Sequence, residues 1–201
     1  MNEQRGVTVR ELPSYAFGPR DPVWWGVMLL IAMEGTTLAL SFLAYFYIRQ
    51  RVDVWPTTAP GTSALTAGVA EAAVLLLSVP PTYLMTCGTR TGDLRAIQRW
   101  MLIATLLSVA AVVVRGFELH ALPFRWDTNA YASVVWGLLV LHTTHLGIGV
   151  LENLVFVALL FKGPVEKKHL VDLEVNGFYW YFVVVGGVAI AAVVYGEAFL
   201  R

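Results

Sequence analysis

The sequence predicts an all-α fold, an integral membrane bundle of five transmembrane helices. Hydrophobic residues make up 57% of the 201 residues, charged residues only 14%, and the mean hydropathy is +0.65. Long apolar stretches alternate with short polar linkers along the chain. Because about 20 consecutive apolar residues are enough to cross the roughly 30 Å hydrocarbon core of a bilayer, each stretch is a candidate membrane span.

We predict helices at residues 23–48, 64–87, 97–119, 131–161 and 174–199. The linkers between them carry residues that end helices, chiefly Pro56, Pro60, Gly88, Pro123, Gly163 and Pro164. Residues 1–22 lack the short apolar core and the cleavage site of a signal peptide, so we predict a retained polar N-terminal tail. Residues 23–201 then form the five-helix transmembrane domain.

The first helix, residues 23–48, carries Glu34 near its middle. A charged side chain at that depth costs on the order of 3 kcal/mol in insertion experiments, so it is normally neutralised, paired or turned away from lipid. No Lys or Arg lies near it in the same helix. We therefore expect Glu34 to be protonated or hydrogen-bonded, with its partner on another helix.

The second and third helices each contain carboxylates. The second, residues 64–87, carries Glu71 within the span. The third, residues 97–119, ends with Arg115 and Glu118, which lie three residues apart on one helix face. We expect these two side chains to form a salt-bridged helix end near the membrane surface.

The fourth helix, residues 131–161, contains His142 and His145. An i, i+3 spacing places both imidazoles on one helix face at about the depth of Glu34. We expect the three side chains to be hydrogen-bonding partners between the first and fourth helices. A metal site is the alternative, but a di-iron bundle needs paired Glu-x-x-His motifs, and this chain has none.

The fifth helix, residues 174–199, is predicted to begin at Glu174. A carboxylate at that position complements the positive N-terminal end of a helix.

The distribution of basic residues orients the bundle with its N-terminus in the cytoplasm and its C-terminus outside. In that orientation the cytoplasmic side carries the larger set, Arg5, Arg10, Arg20, Arg90, Arg95, Arg99, Lys162, Lys167 and Lys168. The opposite side carries the smaller set, Arg49, Arg51, Arg115, Arg125 and Arg201.

Composition excludes several classes of function. A net charge of +0 argues against nucleic-acid binding, and one cysteine, Cys87, can form neither an internal disulfide nor an iron–sulfur site. The chain contains no CxxCH motif for haem attachment, no P-loop and no GxSxG motif. We therefore predict no catalytic residue, no metal site and no cofactor held by this chain.

The segment 115–149 resembles subunit III of cytochrome c oxidase, in which a glutamate and an APF-type loop precede a helix with an HxxH motif and a following glycine. Glu118, Pro123, Phe124, His142, His145 and Gly149 occupy those places. Glu34 falls on the membrane-buried, carbodiimide-reactive glutamate of that family. Trp55 and Pro56 resemble its Trp-Pro element, and Glu174, Tyr179 and Trp180 resemble its closing Glu and aromatic cluster.

The resemblance is to a divergent, short five-helix bacterial form. The family has a His and an Asp after the final Trp, whereas this chain has Tyr181 and Val184.

The resemblance implies an accessory subunit of a haem-copper terminal oxidase in the bacterial inner membrane. Haem and copper would reside in subunits I and II, while this subunit would hold phospholipid and support assembly and sustained proton uptake. It marks Glu34, His142, His145 and Glu118 as buried polar, proton-related residues. Candidates for lipid or subunit contact are Glu174, Trp180, Trp55 and Arg115.

Two alternatives stay open at the level of the sequence. One is an accessory subunit of a nitric oxide reductase or a quinol oxidase, so that the electron donor is undetermined. The other is an independent membrane transporter or metalloenzyme that uses Glu34, His142 and His145.

Overall fold

A computed structural model describes residues 16–199, and side chains as far as residue 196. Its α-helices are α1 (Pro22–Arg49), α2 (Gly61–Thr91), α3 (Leu94–Ala121), α4 (Ala130–Lys162) and α5 (Lys167–Phe199). A short 3-10 helix, Gly18–Arg20, precedes α1. All five α-helices are long and apolar enough to cross a membrane, and the described residues contain no strand. The prediction of an all-α bundle with five spans is confirmed. The predicted N-terminal tail lies mostly outside the described residues.

Three helix starts are fixed by side-chain caps. The Asp21 carboxylate accepts a hydrogen bond from the backbone N–H of Val23 before α1. Asp93 caps α3 and Asn129 caps α4 in the same way, each through a side-chain oxygen. Such caps satisfy backbone donors that a helix leaves unpaired, so each helix begins directly after its capping residue.

Two predicted boundaries are wrong. The linker predicted at residues 88–95 consists only of Gly92 and Asp93, because α2 continues until Gly92 adopts a left-handed φ of 72°. Helix α5 begins at Lys167 and not at Glu174. Its polar first turns are followed by Leu173, which is fully buried in the bundle, so tertiary packing extends the helix through a stretch that resembles a linker.

Helices α2, α3, α4 and α5 form a ring in which each packs against its neighbours, and α2 and α3 form the tightest hairpin. Helix α5 is the most buried of the five spans. Helix α1 lies outside the ring against α4 and α5, and only its Leu38 and Tyr45 are buried. Most of α1 therefore faces the surroundings of the chain.

Glycines allow close helix contacts at two positions that support the polar interior. A Cβ on Gly68 of α2 would overlap the ring of Tyr195 on α5. A Cβ on Gly187 of α5 would lie 2.8 Å from Cε1 of His142 on α4. Small residues permit this approach between membrane helices, where dispersion contacts supply much of the association energy.

We predict that Gly68→Ala destabilises the bundle by roughly 1–3 kcal/mol, because the added methyl group overpacks the contact with Tyr195. The measurement is the thermal unfolding midpoint in mild detergent. Gly147→Ala in α4 is the matched control, since its Cβ would meet no atom within 4 Å. Equal midpoints for the two variants would contradict the close contact.

Candidate functional site

Charged and polar side chains from four helices meet inside the ring. We call this group the Arg115 cluster: Glu71 on α2, Arg115 and Glu118 on α3, His142 on α4 and Tyr195 on α5. Each of the five residues is at most 2% exposed. Such a group inside a membrane span is expensive unless its members pair with one another.

Arg115 is the centre of the cluster. Its Nη1 donates to Oε2 of Glu118 over 2.5 Å, and its Nη2 lies 2.9 Å from Oε1 of Glu71. The hydroxyl of Tyr195 donates to Oε1 of Glu118 over 2.6 Å. One guanidinium therefore joins α3 to α2, and Glu118 extends the connection to α5 through charge-assisted hydrogen bonds.

The contacts of His142 define its tautomer. Nη2 of Arg115 lies 3.0 Å from Nδ1 of His142, and a guanidinium has only donors, so Nδ1 accepts and carries no proton. The ring proton is then on Nε2, which donates to the backbone carbonyl of Val183 on α5 over 2.9 Å. His142 is thus neutral and protonated on Nε2, and it connects α4 to both α3 and α5.

The cluster combines one permanent cation with two carboxyl groups where water is excluded. An unbalanced buried charge is costly, and one proton on the carboxyl groups brings the sum to zero. Neither carboxyl oxygen of Glu71 makes a hydrogen bond among the described residues, and Oε2 also lies outside the ion pair with Arg115, which leaves Oε2 open to a proton. Chemically, the arrangement is able to tie four helices together and to hold one proton.

A second polar group, which we call the Glu34 cluster, lies between α1, α4 and α5 and comprises Glu34, His145 and Tyr179. Nε2 of His145 is 3.6 Å from Oε2 of Glu34, and their side chains are 8% and 20% exposed. The Tyr179 hydroxyl lies in the electrostatic neighbourhood of Glu34, yet neither that hydroxyl nor Glu34 Oε2 has a hydrogen-bonding partner among the described residues. The contact in this cluster is longer than those of Arg115 in the Arg115 cluster, and its side chains are more exposed.

The structure separates the two histidines that the sequence placed together. His145 faces Glu34, whereas His142 belongs to the Arg115 cluster. Positions i and i+3 differ by about 60° around a helix, which is enough for the two rings to contact different neighbours. Glu34 therefore has one of its two expected histidine partners.

Glu118 and Arg115 form the expected pair, but they are buried and not at a surface end of α3. The predicted role of Glu174 at a helix start is wrong, because Glu174 lies eight residues into α5 and is fully buried. There its Oε1 accepts two hydrogen bonds from Arg90 of α2, at 2.6 and 3.0 Å.

The aromatic residues expected at lipid or subunit contacts are also buried. Trp180 is 2% exposed and donates through Nε1 to the hydroxyl of Ser78 over 2.8 Å. Trp55 is 8% exposed, donates to the Tyr45 hydroxyl over 3.1 Å and packs edge-on against Tyr131. These two residues, like Arg115 and Glu174, make contacts inside the chain. None of the four therefore supplies an outer contact surface.

Sequence analysis missed several polar partners. It treated Glu71 only as a carboxylate within a span, and it did not identify Tyr195. It also missed an amide network in which Asn176 donates to Asn153 over 2.9 Å and Asn153 donates to Ser108 over 3.4 Å. The sequence did contain one signal for these partners, the depth of each polar residue along its span. A polar residue within a span needs a partner at the same depth on another helix.

No group of three or more His, Cys, Asp or Glu side chains in residues 16–199 is arranged to hold a metal ion. His142 and His145 are used in contacts with protein groups. Neither cluster therefore has the geometry of a metal centre within the described part of the chain.

Comparisons with known proteins find similarity to one kind of protein. The chain is 26% identical over 174 residues to cytochrome c oxidase subunit 3 of Alkalihalophilus pseudofirmus, covering 85% of this chain and 84% of that protein. It is 24% identical over 183 residues to the same subunit of Synechocystis sp., covering 89% and 77%. A shorter match of 85 residues to the subunit of Triticum aestivum is 32% identical and covers 42% and 32%. No family model matches the chain.

This similarity over most of the chain supports a divergent relative of cytochrome c oxidase subunit III. The two bacterial matches extend over most of both proteins, which confirms the resemblance found in the sequence. Five apolar helices together with these relatives establish a multi-pass membrane protein.

We predict that Arg115→Gln destabilises the subunit III-like bundle by about 3–5 kcal/mol, because two buried carboxyl groups lose their cation. Arg125→Gln is the matched control, since Arg125 pairs with Asp127 at 3.3 Å with side chains 79% and 46% exposed. Such an exposed pair contributes about 0–1 kcal/mol. Thermal unfolding in detergent measures both, and a small loss for Arg115→Gln would contradict the central role of Arg115.

A double-mutant cycle tests the separation of the two histidines. Glu34→Gln and His145→Ala are expected to show a coupling of about 0.6 kcal/mol, up to roughly 2, because their side chains touch. Glu34→Gln and His142→Ala are expected to add, because His142 contacts Arg115. Coupling of Glu34 to His142 and additivity with His145 would show that the assignment of partners is incorrect.

Proposed function

We propose that this chain is an accessory subunit of a haem-copper terminal oxidase, most simply a cytochrome c oxidase of an aerobic respiratory chain. Haem and copper are held by subunits I and II, and this chain supports assembly, lipid binding and sustained proton uptake. The observation that carries the proposal is similarity to cytochrome c oxidase subunit 3 over most of the chain. The comparisons favour neither a nitric oxide reductase or quinol oxidase subunit nor an independent transporter or metalloenzyme.

The polar interior supports an accessory role. In the Arg115 cluster the guanidinium, His142 and Glu118 are all used in contacts between helices. A catalytic group needs an approach for substrate, and these side chains are at most 2% exposed. The proton-related role proposed for Glu34, His142, His145 and Glu118 is therefore to hold and balance protons while they fix the packing of the subunit.

The proposed location is a bacterial inner membrane with the N-terminus in the cytoplasm. Burial of Arg115 removes it from the loop residues that determine orientation. Among the described residues the proposed cytoplasmic side then carries Arg20, Arg90, Arg95, Arg99, Lys162, Lys167 and Lys168. The other side carries Arg49, Arg51 and Arg125. When Arg115 alone is removed from the whole-sequence count, nine basic residues lie on the proposed cytoplasmic side and four on the other, compared with nine and five before.

The outer surface supports the proposal of bound lipid and partner subunits. Helix α1 exposes large apolar side chains, among them Leu29, Met33 and Leu43, each more than 60% exposed. In a membrane complex such a surface is covered by lipid or by the helices of another subunit.

We predict that an oxidase purified without this chain keeps its haem spectrum and its initial rate of oxygen consumption, and then loses activity over repeated turnover. The physical reason is that an accessory subunit stabilises proton supply but carries no redox centre. The measurement is oxygen uptake over time with and without the chain. Complex reconstituted with the chain serves as the control and is expected to regain sustained activity. Immediate and complete loss, with haem and the other subunits retained, would contradict the accessory role.

A further inference from the structure

Helix α4 presents an acidic side chain to the outside of the bundle within the membrane. Glu152 is exposed, and it lies six residues from Leu146, the midpoint of α4. Six residues span about 9 Å of helix, so with the midpoint of α4 at the bilayer midplane Glu152 lies inside the roughly 15 Å half-thickness of the hydrocarbon core. The contact between Glu34 and His145, both near the midpoints of their helices, supports this placement.

Glu152 lines a cavity of about 440 Å³ between α1, α4 and α5. The walls are mostly apolar and include Val27 and Leu30 of α1 and Val155 of α4. Asp172, Asn176 and Tyr179 of α5 also line the cavity. The cavity therefore contains two carboxylates, Asp172 near the start of α5 and Glu152 deeper in the membrane.

No basic side chain in residues 16–196 pairs with Glu152. The charged group in its electrostatic neighbourhood is Glu34, another acid. A lone carboxylate facing hydrocarbon is costly, and the neighbouring acid increases the cost. A cation at the depth of Glu152 would stabilise the charged form of this carboxyl group.

We propose that this cavity is the docking site for a transmembrane helix of a partner subunit that presents a Lys or Arg side chain to Glu152. A helix can place a basic side chain at any depth, whereas the ammonium group of a lipid lies outside the hydrocarbon core, about 6 Å further from the midplane than Glu152. The apolar walls pack against side chains of the helix, and Glu152 receives its charged group. The site extends the proposed function, because the partner is another subunit of the same complex.

The first experiment identifies the occupant. A photoreactive phenylalanine analogue is introduced at Val155, which lines the cavity and is 66% exposed, and the complex is irradiated in native membranes. Phe117 on α3, 68% exposed and away from the cavity, is the matched control position. We expect Val155 to crosslink to a membrane helix with a Lys or Arg, and Phe117 not to crosslink to that helix. A crosslink to phospholipid alone, or to a helix without a basic residue, would overturn the proposal.

The second experiment tests the charge. Glu152→Gln is expected to reduce retention of the crosslinked partner during detergent purification by about three- to twentyfold, as for loss of one polar contact between membrane helices. Glu166→Gln is the control, because Glu166 is exposed and pairs with Lys168 outside the cavity. Equal retention in the two variants would overturn the proposal. Reversal of both charges, Glu152→Lys with Glu at the partner's basic position, is expected to restore retention.

The two proposals fail separately. A crosslink from Val155 to a basic helix in a purified complex that lacks haem would support this inference and overturn the proposed function. A purified complex with haem in which Val155 crosslinks only to lipid would support the proposed function and overturn this inference. The crosslink uses Glu152 unchanged, so it decides the question even if Glu152→Gln prevents accumulation of the chain.

Discussion

The arrangement of α2, α3, α4 and α5 depends on the guanidinium of Arg115. Apolar surfaces discriminate poorly between alternative helix positions in a membrane, because lipid tails are as apolar as the side chains that pack. Hydrogen bonds to one cation do discriminate: a slip of any helix by one turn moves its polar group by about 5.4 Å, beyond hydrogen-bonding distance of Arg115. The contacts with Glu71, Glu118 and His142 thus fix the register of three helices at once. Tyr195 fixes the register of the fourth helix, α5, through its hydrogen bond to Glu118.

The sequence predicted the helices, contacts within one helix, and a contact between residues at the same depth in the membrane. The five spans followed from length and apolarity, and the pair Arg115–Glu118 followed from an i, i+3 spacing within one helix. The contact between Glu34 and His145 was predicted because both lie at the middle of their spans. The partners Glu71 and Tyr195 were not predicted, because a membrane helix that is apolar all round has no periodic pattern to show which face points inward. Depth gives the level of a residue, but not the direction of its side chain.

Errors at the ends of helices have a related cause. The sequence predicted Arg115 and Glu174 near the ends of their helices, and it marked Trp55 and Trp180 as candidates for lipid or subunit contact. The structure uses them internally, as in the ion pair of Glu174 with Arg90 and the hydrogen bond of Trp180 to Ser78. Extension of α5 to Lys167 makes this possible, because it carries Glu174 away from the helix end and into the bundle. Tertiary packing outweighs the local preference of such residues.

The two polar clusters differ in burial, and this difference separates the ring of α2 to α5 from the side of α1. In the Arg115 cluster every side-chain polar atom of Glu118, His142 and Tyr195 is hydrogen-bonded, Glu71 forms an ion pair with Arg115, and glycines bring the helices close around the cluster. On the side of α1, Glu34 Oε2 and the Tyr179 hydroxyl make no hydrogen bond among the described residues, and Glu152 faces outward. An ion pair that is complete within the chain needs no second protein, whereas an unpaired carboxylate in the membrane is stabilised by a proton or by a cation from another molecule. Pairs within the chain therefore hold the ring of α2 to α5, and the side of α1 is the part that the proposed assembly would stabilise.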